Sequence, residues 1–169
     1  MVSIRTKLTV SSKGDLSKRL KQLEKDLKGP LGVKVGFPAG AAPGDLISIA
    51  YWNHEGTNRA KGDVFFSNGK FGISGPIPPR PFITQAMWKG RGEIKALMKS
   101  QAIKIFNGNA TISASLPVLG LKGQDVVQKT ISSGSFTPNS GMTIKLKGSS
   151  KPLIDTSRML GGVTWKIDK

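Results

Sequence analysis

The chain has 169 residues, of which 37% are hydrophobic, and its 26 lysines and arginines outnumber ten acidic residues to give a formal charge of +16. This length fits one domain spanning residues 1–169, and the low apolar content predicts much loop. The sequence has no cysteine and a single histidine, His54, which excludes disulfides, thiolate metal sites and a multi-histidine zinc site.

The N-terminal part of the chain predicts a strand, a helix and a second strand. Apolar residues alternate with charged ones over residues 2–10, which is typical of a strand with one wet face. Residues 14–28 predict an amphipathic helix with a basic outer face, and residues 33–37 alternate again as a short strand. The apolar face of the predicted helix is a stripe of leucines expected to pack inward: Leu16, Leu20, Leu23 and Leu27.

The central part predicts two helices separated by loop and hairpin. Asp45 is placed to cap a short helix over residues 46–54, and Gly56 stands where a helix-ending glycine belongs. Asn68-Gly69 between two apolar runs is a strong hairpin signal inside a loop-rich stretch, residues 57–78. The longest predicted helix covers residues 83–106, and its two glycines, Gly90 and Gly92, weaken it by about 1 kcal/mol each relative to alanine.

The C-terminal part predicts a helix over residues 123–132, an extended arm or long loop over 133–152, and a closing strand over 163–167. Together these elements predict an α+β domain: a small, mainly antiparallel sheet with two or three helices packed on one face, and long loops at about 57–78 and 133–152. The three tryptophans stand at core-like positions of their segments, which favours burial over base stacking: Trp52, Trp88 and Trp165.

Patterns that carry catalysis are missing from the sequence. His54 and Glu55 are adjacent, so on a helix or a strand their side chains point in different directions. No CxxC, HExxH or GxSxG pattern occurs, and the glycines at 69 and 72 lack the spacing of a phosphate-binding loop. We therefore expect no enzyme activity, no metal and no cofactor.

The positive charge is spread over the chain, with eight basic residues in 1–28, five in 89–104 and eight in 122–169. Such a field favours acidic partners, whether nucleic acid or an acidic protein face, although a merely solvated basic surface is the competing interpretation. A membrane is not expected, because the leucine face has no aromatic anchor, no run approaches the length of a bilayer span, and the N-terminus has no signal-peptide core. The candidate contacts to DNA or an acidic partner are Lys18, Arg19, Lys21, Lys25, Lys95 and Lys99.

Three segments, in this order, resemble motifs of the phage virion-morphogenesis family of neck and tail-completion proteins. Residues 49–57 resemble a helix end that carries a glutamate shortly before a Gly-Thr pair, and residues 77–83 resemble the family's Arg-Pro-Phe helix start. Residues 149–160 resemble a Lys-Pro-Leu-Ile-Asp-Thr-Gly segment that precedes the last strand, with Ser157 where family members usually have glycine. The resemblance covers about residues 30–167.

The resemblance implies a structural, non-enzymatic subunit of a tailed-phage virion, made in the host cytoplasm and forming a ring, typically a hexamer, at the head–tail junction. Its implied neighbours are a head-side connector or adaptor protein and the tail tube protein, with DNA in the lumen. Whether such a subunit is a tail terminator, a head-closure protein or a joining protein stays open. The charge supports one alternative, a basic nucleic-acid-binding protein.

The residues that carry the resemblance are expected at an interface or in stabilising the fold: His54, Glu55, Gly56, Pro79, Arg80, Pro81, Phe82, Leu153, Asp155 and Thr156. Arg80, held between two prolines, is expected to pair with a carboxylate such as Glu55 or Asp155. Asp155-Thr156 can also be a turn or a helix cap whose side chain accepts a backbone N–H.

Overall fold

The computed structural model describes residues 13–58, 63–67, 70–74, 76–154 and 157–168, and it confirms the α+β class. The predicted strand over residues 2–10 lies outside the described residues. The described elements, in chain order, are α1 (Lys13–Leu27), β1 (Gly32–Gly36), α2 (Gly44–Glu55), β2 (Asp63–Ser67), β3 (Lys70–Ser74), α3 (Phe82–Phe106), α4 (Ile112–Ser133), α5 (Gly141–Lys147), α6 (Arg158–Gly162) and β4 (Thr164–Asp168).

The described strands form two antiparallel pairs. β1 pairs with β4, so that Val35 lies opposite Trp165, and the first and last predicted strands of the described chain meet at one sheet. β2 pairs with β3 as the predicted hairpin, whose turn residues 68–69 lie outside the described part. The extended loop expected at about residues 57–78 is therefore shorter than predicted, because β2 and β3, five residues each, lie within it.

The helices α3 and α4 form the centre of the domain. α4 packs along α3 and against both strands of the β1–β4 sheet. Within the helix pair, the Ser115 hydroxyl donates to the Gln101 side-chain oxygen over 3.2 Å, and both residues are buried. Helices packed against a small antiparallel sheet confirm the predicted fold class, but α3 packs mainly on α4, an arrangement that the sequence did not predict.

The predicted start of α4 at residue 123 is wrong by about three helical turns. The helix begins at Ile112, and the Thr111 side chain caps it by accepting the Ala114 N–H at 3.2 Å. Pro117 argued against an early start, since proline inside a helix removes a backbone donor. Leu116, beside it, is buried, which illustrates how tertiary packing overrides a weak local propensity.

The predicted extended arm over residues 133–152 contains a helix, α5. The Ser140 hydroxyl accepts the Thr143 N–H at 3.2 Å at its start, and Gly148 ends it in the left-handed conformation, with φ 72°. These two residues bracket the helix in the sequence. The polar–apolar–polar order of Thr143, Ile144 and Lys145 is compatible with a strand as well as a helix, because seven residues are too few to separate the two periodicities.

Asp45 does not cap α2. Pro43 occupies the cap position, and Asp45 lies in the first turn, where its carboxylate accepts from the Arg158 guanidinium at 2.6 Å. This hydrogen bond lowers the pKa of Asp45 below its ordinary value. α2 and α6 are thereby joined beside the buried core, which comprises Leu46, Ala50, Phe82, Ala86, Val126, Val127, Ile131, Leu153, Met159 and Val163.

Candidate functional site: the arginine junction and the outer basic faces

The first two family-like segments meet directly in the structure. The Thr57 N–H donates to the Ile77 carbonyl at 3.0 Å, and the Ile77 N–H donates back to the Thr57 hydroxyl at 3.1 Å. Gly56 ends α2 with φ 81°, and a side chain there would approach the Ile77 carbonyl to 2.7 Å. Two features therefore require glycine at position 56: the positive φ angle and the close approach of the Ile77 carbonyl.

Arg80 is the centre of this junction and is 95% buried, with a relative exposure of 5%. Its backbone N–H donates to the Asn53 carbonyl at 2.9 Å, at the end of α2. Its guanidinium donates to the Asn53 side-chain oxygen at 3.2 Å, to the Thr137 and Pro138 carbonyls at 2.8 and 3.3 Å, and to the Asn139 side-chain oxygen at 3.2 Å. One side chain therefore joins α2, the start of α3 and the segment before α5.

The predicted pairing of Arg80 with Glu55 is wrong, because the described acceptors are all neutral oxygens. Glu55 is exposed and lies 3.8 Å from the His54 ring instead. Asp155, the other predicted partner, lies outside the described residues. Burial away from water lowers the pKa of the Arg80 guanidinium, yet arginine retains its charge because its ordinary pKa is very high.

The third family-like segment reaches the same junction. The Asn139 amide, whose oxygen accepts from Arg80, donates to the Lys151 carbonyl at 3.3 Å. Leu153 then enters the core together with Phe82, the first residue of α3. Asp155-Thr156, predicted as a cap or turn, lie outside the described part. All three segments, which are far apart in the sequence, are thus linked around Arg80 and Phe82.

Ser157 begins α6 with φ 59°, in the left-handed region that favours glycine. A glycine at this position would adopt the same conformation without strain. Since the serine side chain makes no capping hydrogen bond, nothing described compensates for the strain.

His54 packs into the junction through its ring. It meets Phe82 edge to face, with centroids 5.3 Å apart, and its Nε2 lies 3.3 Å from the Thr84 hydroxyl. Its Nδ1 is buried without a hydrogen-bond partner among the described residues. The His54 ring thereby joins the end of α2 to the first turn of α3. Pro79 lies beside Gly56, and Pro81 occupies the cap position of α3. Pro81 has φ −73° and ψ 64°, so that the Phe82 N–H donates to the Arg80 carbonyl at 2.7 Å in a tight γ-turn.

Two further findings concern sites of other kinds. In the described ranges, no three His, Asp or Glu side chains gather where a metal ion could be held. Among the helices of that same part of the chain, none combines the length and apolar character that crossing a bilayer demands.

The basic residues predicted as contacts on α1 fall into two groups, exposed lysines and one arginine that faces the domain. Lys18, Lys21 and Lys25 are exposed, whereas Arg19 turns toward the body and packs against Gly108 at the α3–α4 connection. Asp26 lies on the same inward side, where its carboxylate accepts the Ile112 N–H at 3.3 Å. A polar strip therefore anchors α1. The predicted leucine packing face is wrong for Leu16, Leu20 and Leu27, which are 39%, 57% and 58% exposed, whereas Leu23 is half-buried.

The outer side of α3 brings together Lys95 and Lys99, as predicted, with an aromatic residue that sequence reasoning placed in the core. Trp88 is 65% exposed, and the Arg91 guanidinium lies over its ring, 5.1 Å from the centroid. Trp52 is also exposed, at 42%, while Trp165 is half-buried between sheet and helix. The position of Trp88 around the helix axis indicates its exposure. Ala86 faces the core, and Trp88 lies about 160° from it around α3.

Comparisons with known proteins gave no match: no family model, no curated protein and no solved structure is detectably similar to this chain.

Proposed function

We propose that this chain is a non-enzymatic structural subunit of a tailed-phage particle, acting as a ring at the head–tail junction as a neck or tail-completion protein. The proposal combines the three ordered sequence motifs with their convergence on one buried arginine. The first two segments pair backbone to backbone and the third reaches them through Asn139, which is the arrangement expected if the three motifs form one structural unit.

The observation that carries the assembly part of the proposal is the distribution of exposed apolar side chains. Leu20 on α1, Tyr51 on α2, Phe106 on α3 and Leu121 on α4 are each 57–63% exposed. Single exposed apolar residues are ordinary on a monomer, whereas their presence on each of the four longest described helices gives a neighbouring subunit apolar surface to cover on several sides of the domain. In a ring, contacts are heterologous, so each subunit needs two different faces covered by its neighbours.

The glycine-like backbone at Ser157 also supports membership of the resembled family. A serine held at φ 59° costs free energy that a glycine would avoid. The resembled motif has glycine at this position, which is the residue that this conformation favours.

A second candidate function, DNA binding, has its own observation: the formal charge of +16. The two functions differ in their measurable behaviour. A ring subunit forms a closed oligomer of fixed mass or copurifies with particles, whereas a DNA-binding protein stays small and shifts DNA with a steep salt dependence.

The deciding experiment has two parts. Light scattering on the purified chain gives its mass, for which we expect a closed oligomer, six copies being the implied number. Electron microscopy of intact particles, with this chain labelled, then places it at the neck, at the head-proximal end of the tail or at neither. A label found elsewhere on the particle, or a chain that is monomeric with and without its head and tail neighbours, would overturn the proposal.

A further inference from the structure

The outer face of α3 carries a continuous strip of aromatic and cationic side chains. At 3.6 residues per turn, Trp88, Arg91, Lys95, Lys99 and Phe106 fall within an arc of about 80° and span about 27 Å of helix. All five are exposed, and Met98 and Ile103 flank them. The opposite side of the helix is buried, so this strip, which we call the α3 strip, faces away from the domain.

No carboxylate lies on the α3 strip. The single acidic residue of α3, Glu93, projects from another side of the helix and pairs with Lys122 of α4. This contact lowers the pKa of Glu93 and raises that of Lys122, so both remain charged and held together over a wide pH range. The positive charges of Arg91, Lys95 and Lys99 are therefore left for a partner to neutralise.

A second copy of this chain is a poor source of the missing negative charge. Seven acidic side chains are described, and six of them accept from a cation or an N–H within the chain: Glu24, Asp26, Asp45, Glu93, Asp125 and Asp168. The seventh, Glu55, lies beside His54. Among the described residues, little negative charge is thus left unpaired, which favours a different molecule as the source of the complementary acid.

The composition of the α3 strip favours protein over nucleic acid as that molecule. A DNA backbone offers phosphates but no apolar surface for Met98, Ile103 and Phe106, which are 54%, 36% and 57% exposed. Base stacking on Trp88 is hindered because the Arg91 guanidinium already lies over its ring. An amphipathic segment with acidic flanks satisfies both the charges and the apolar groups, and tryptophan and arginine are the residues that most often dominate such interfaces.

We infer that the α3 strip is the docking surface for an acidic amphipathic segment of another protein. This deepens the proposed function, on which it rests for the setting, since a neighbour in the particle would supply the segment. The contact has an apolar centre, with Trp88 and Phe106 as anchors at its two ends, and a cationic line between them.

The test uses a defined probe, a synthetic helical peptide of about 20 residues with leucines on one face and glutamates beside them, long enough to cover the α3 strip. Binding is measured with the full chain by fluorescence anisotropy, at a concentration at which sedimentation shows monomer. We expect Trp88→Ala and Lys95→Glu each to weaken peptide binding by at least about tenfold. A peptide of the same composition in scrambled order should bind more weakly than the amphipathic one.

Two variants serve as matched controls. Tyr51→Ala removes an aromatic residue of similar exposure, 63%, from α2. Lys104→Glu makes the same charge change as Lys95→Glu nine residues further along the same helix, at a position about 180° around its axis. Both should keep binding within about threefold of the parent chain.

The inference is overturned if Trp88→Ala binds the peptide like the parent chain, if Lys104→Glu weakens it as much as Lys95→Glu, or if a DNA duplex of about 20 base pairs displaces the peptide while Trp88→Ala leaves DNA affinity unchanged. Peptide binding by a chain that never forms a ring would refute the proposed function alone. A ring whose subunits ignore the peptide would refute the docking surface alone.

Discussion

A methyl group added to Gly90 of α3 would overlap the side chain of Val126 on α4. Gly90 is buried between the two central helices, whereas Gly92, two residues along, faces open space. In the sequence these glycines look alike, as two residues that weaken a helix. In the structure, only the first lets the two helices pack closely.

Substituting the two glycines separately should therefore give opposite results. Gly90→Ala should lower the free energy of unfolding by about 1–3 kcal/mol, because overpacking outweighs the better helix propensity of alanine. Gly92→Ala should raise it by up to about 1 kcal/mol. Urea unfolding followed by circular dichroism measures both, and equal effects at the two positions would contradict this packing of α3 on α4.

Arg80 should be among the most sensitive positions of the chain. Arg80→Ala leaves two backbone carbonyls and two side-chain oxygens without their donor, which should cost at least about 2 kcal/mol of unfolding free energy. Arg80→Lys should recover little, because an ammonium cannot reproduce the fork of the guanidinium. Thermal unfolding of both variants checks this, and hydrogen exchange should show the segment around Thr137–Asn139 opening first.

Arg158 is the matched control for Arg80. It also joins two elements, through Asp45, but both side chains of that pair are 57% exposed. Arg158→Ala should therefore change stability by no more than about 1 kcal/mol. A loss as large as that of Arg80→Ala would mean that burial is not what makes the Arg80 junction important.

Ser157→Gly should stabilise the chain by about 1 kcal/mol, since it relieves a left-handed backbone conformation that no side-chain hydrogen bond compensates. Leu153 has a similar φ of 62°, but its side chain is buried in the core. Leu153→Gly should thus destabilise by several kcal/mol, about 3 or more. Comparing these two variants separates the effect of backbone strain on stability from the effect of side-chain burial. A loss of stability in Ser157→Gly would contradict the strain argument.

Acid should weaken the fold through three carboxylates with lowered pKa values. Asp45 is held by Arg158, Glu93 by Lys122 and Asp125 by Lys129, each chiefly through a side-chain hydrogen bond. A carboxylate whose pKa is lower in the folded state stabilises it above the unfolded pKa and loses that contribution as pH falls. Unfolding free energy should drop between about pH 5 and pH 3, and less steeply in an Asp45→Asn/Glu93→Gln/Asp125→Asn variant. An unchanged slope in that variant would assign acid sensitivity to other groups.

Helix and strand periodicity predicted the long α3, the β2–β3 hairpin and the β1 and β4 strands well, because each has a clear local pattern. The missing half of α4 and the helix α5 could not be obtained in this way. In α4, the burial of Leu116 and the hydrogen bond from Ser115 to Gln101 of α3 outweigh Pro117, and a local pattern contains no information about such tertiary contacts. In α5, the capping residues Ser140 and Gly148 indicated a helix, but the alternation of polar and apolar residues between them is also typical of a strand.

The candidate site was predicted in part. Sequence reasoning selected Arg80 and Phe82 and expected a structural role for Arg80, but it assigned a carboxylate as the partner. The acceptors on residues 137–139 are neutral oxygens, so the pattern of charged residues in the sequence could not indicate them. Trp88 was misplaced because tryptophan is usually buried, and only its phase on α3 distinguishes it from the core residues.

The central claim, that this chain assembles into a ring with foreign acidic partners, is tested most directly by sedimentation velocity at graded salt. At about 0.01 M salt the screening length is about 30 Å, so like charges repel across the whole subunit, whereas at 0.15 M it falls to about 8 Å. We predict monomer at the lower salt and a discrete closed oligomer at the higher salt or on addition of the acidic peptide. An oligomer that is most stable at the lowest salt, or a monomer under every one of these conditions, would contradict the account.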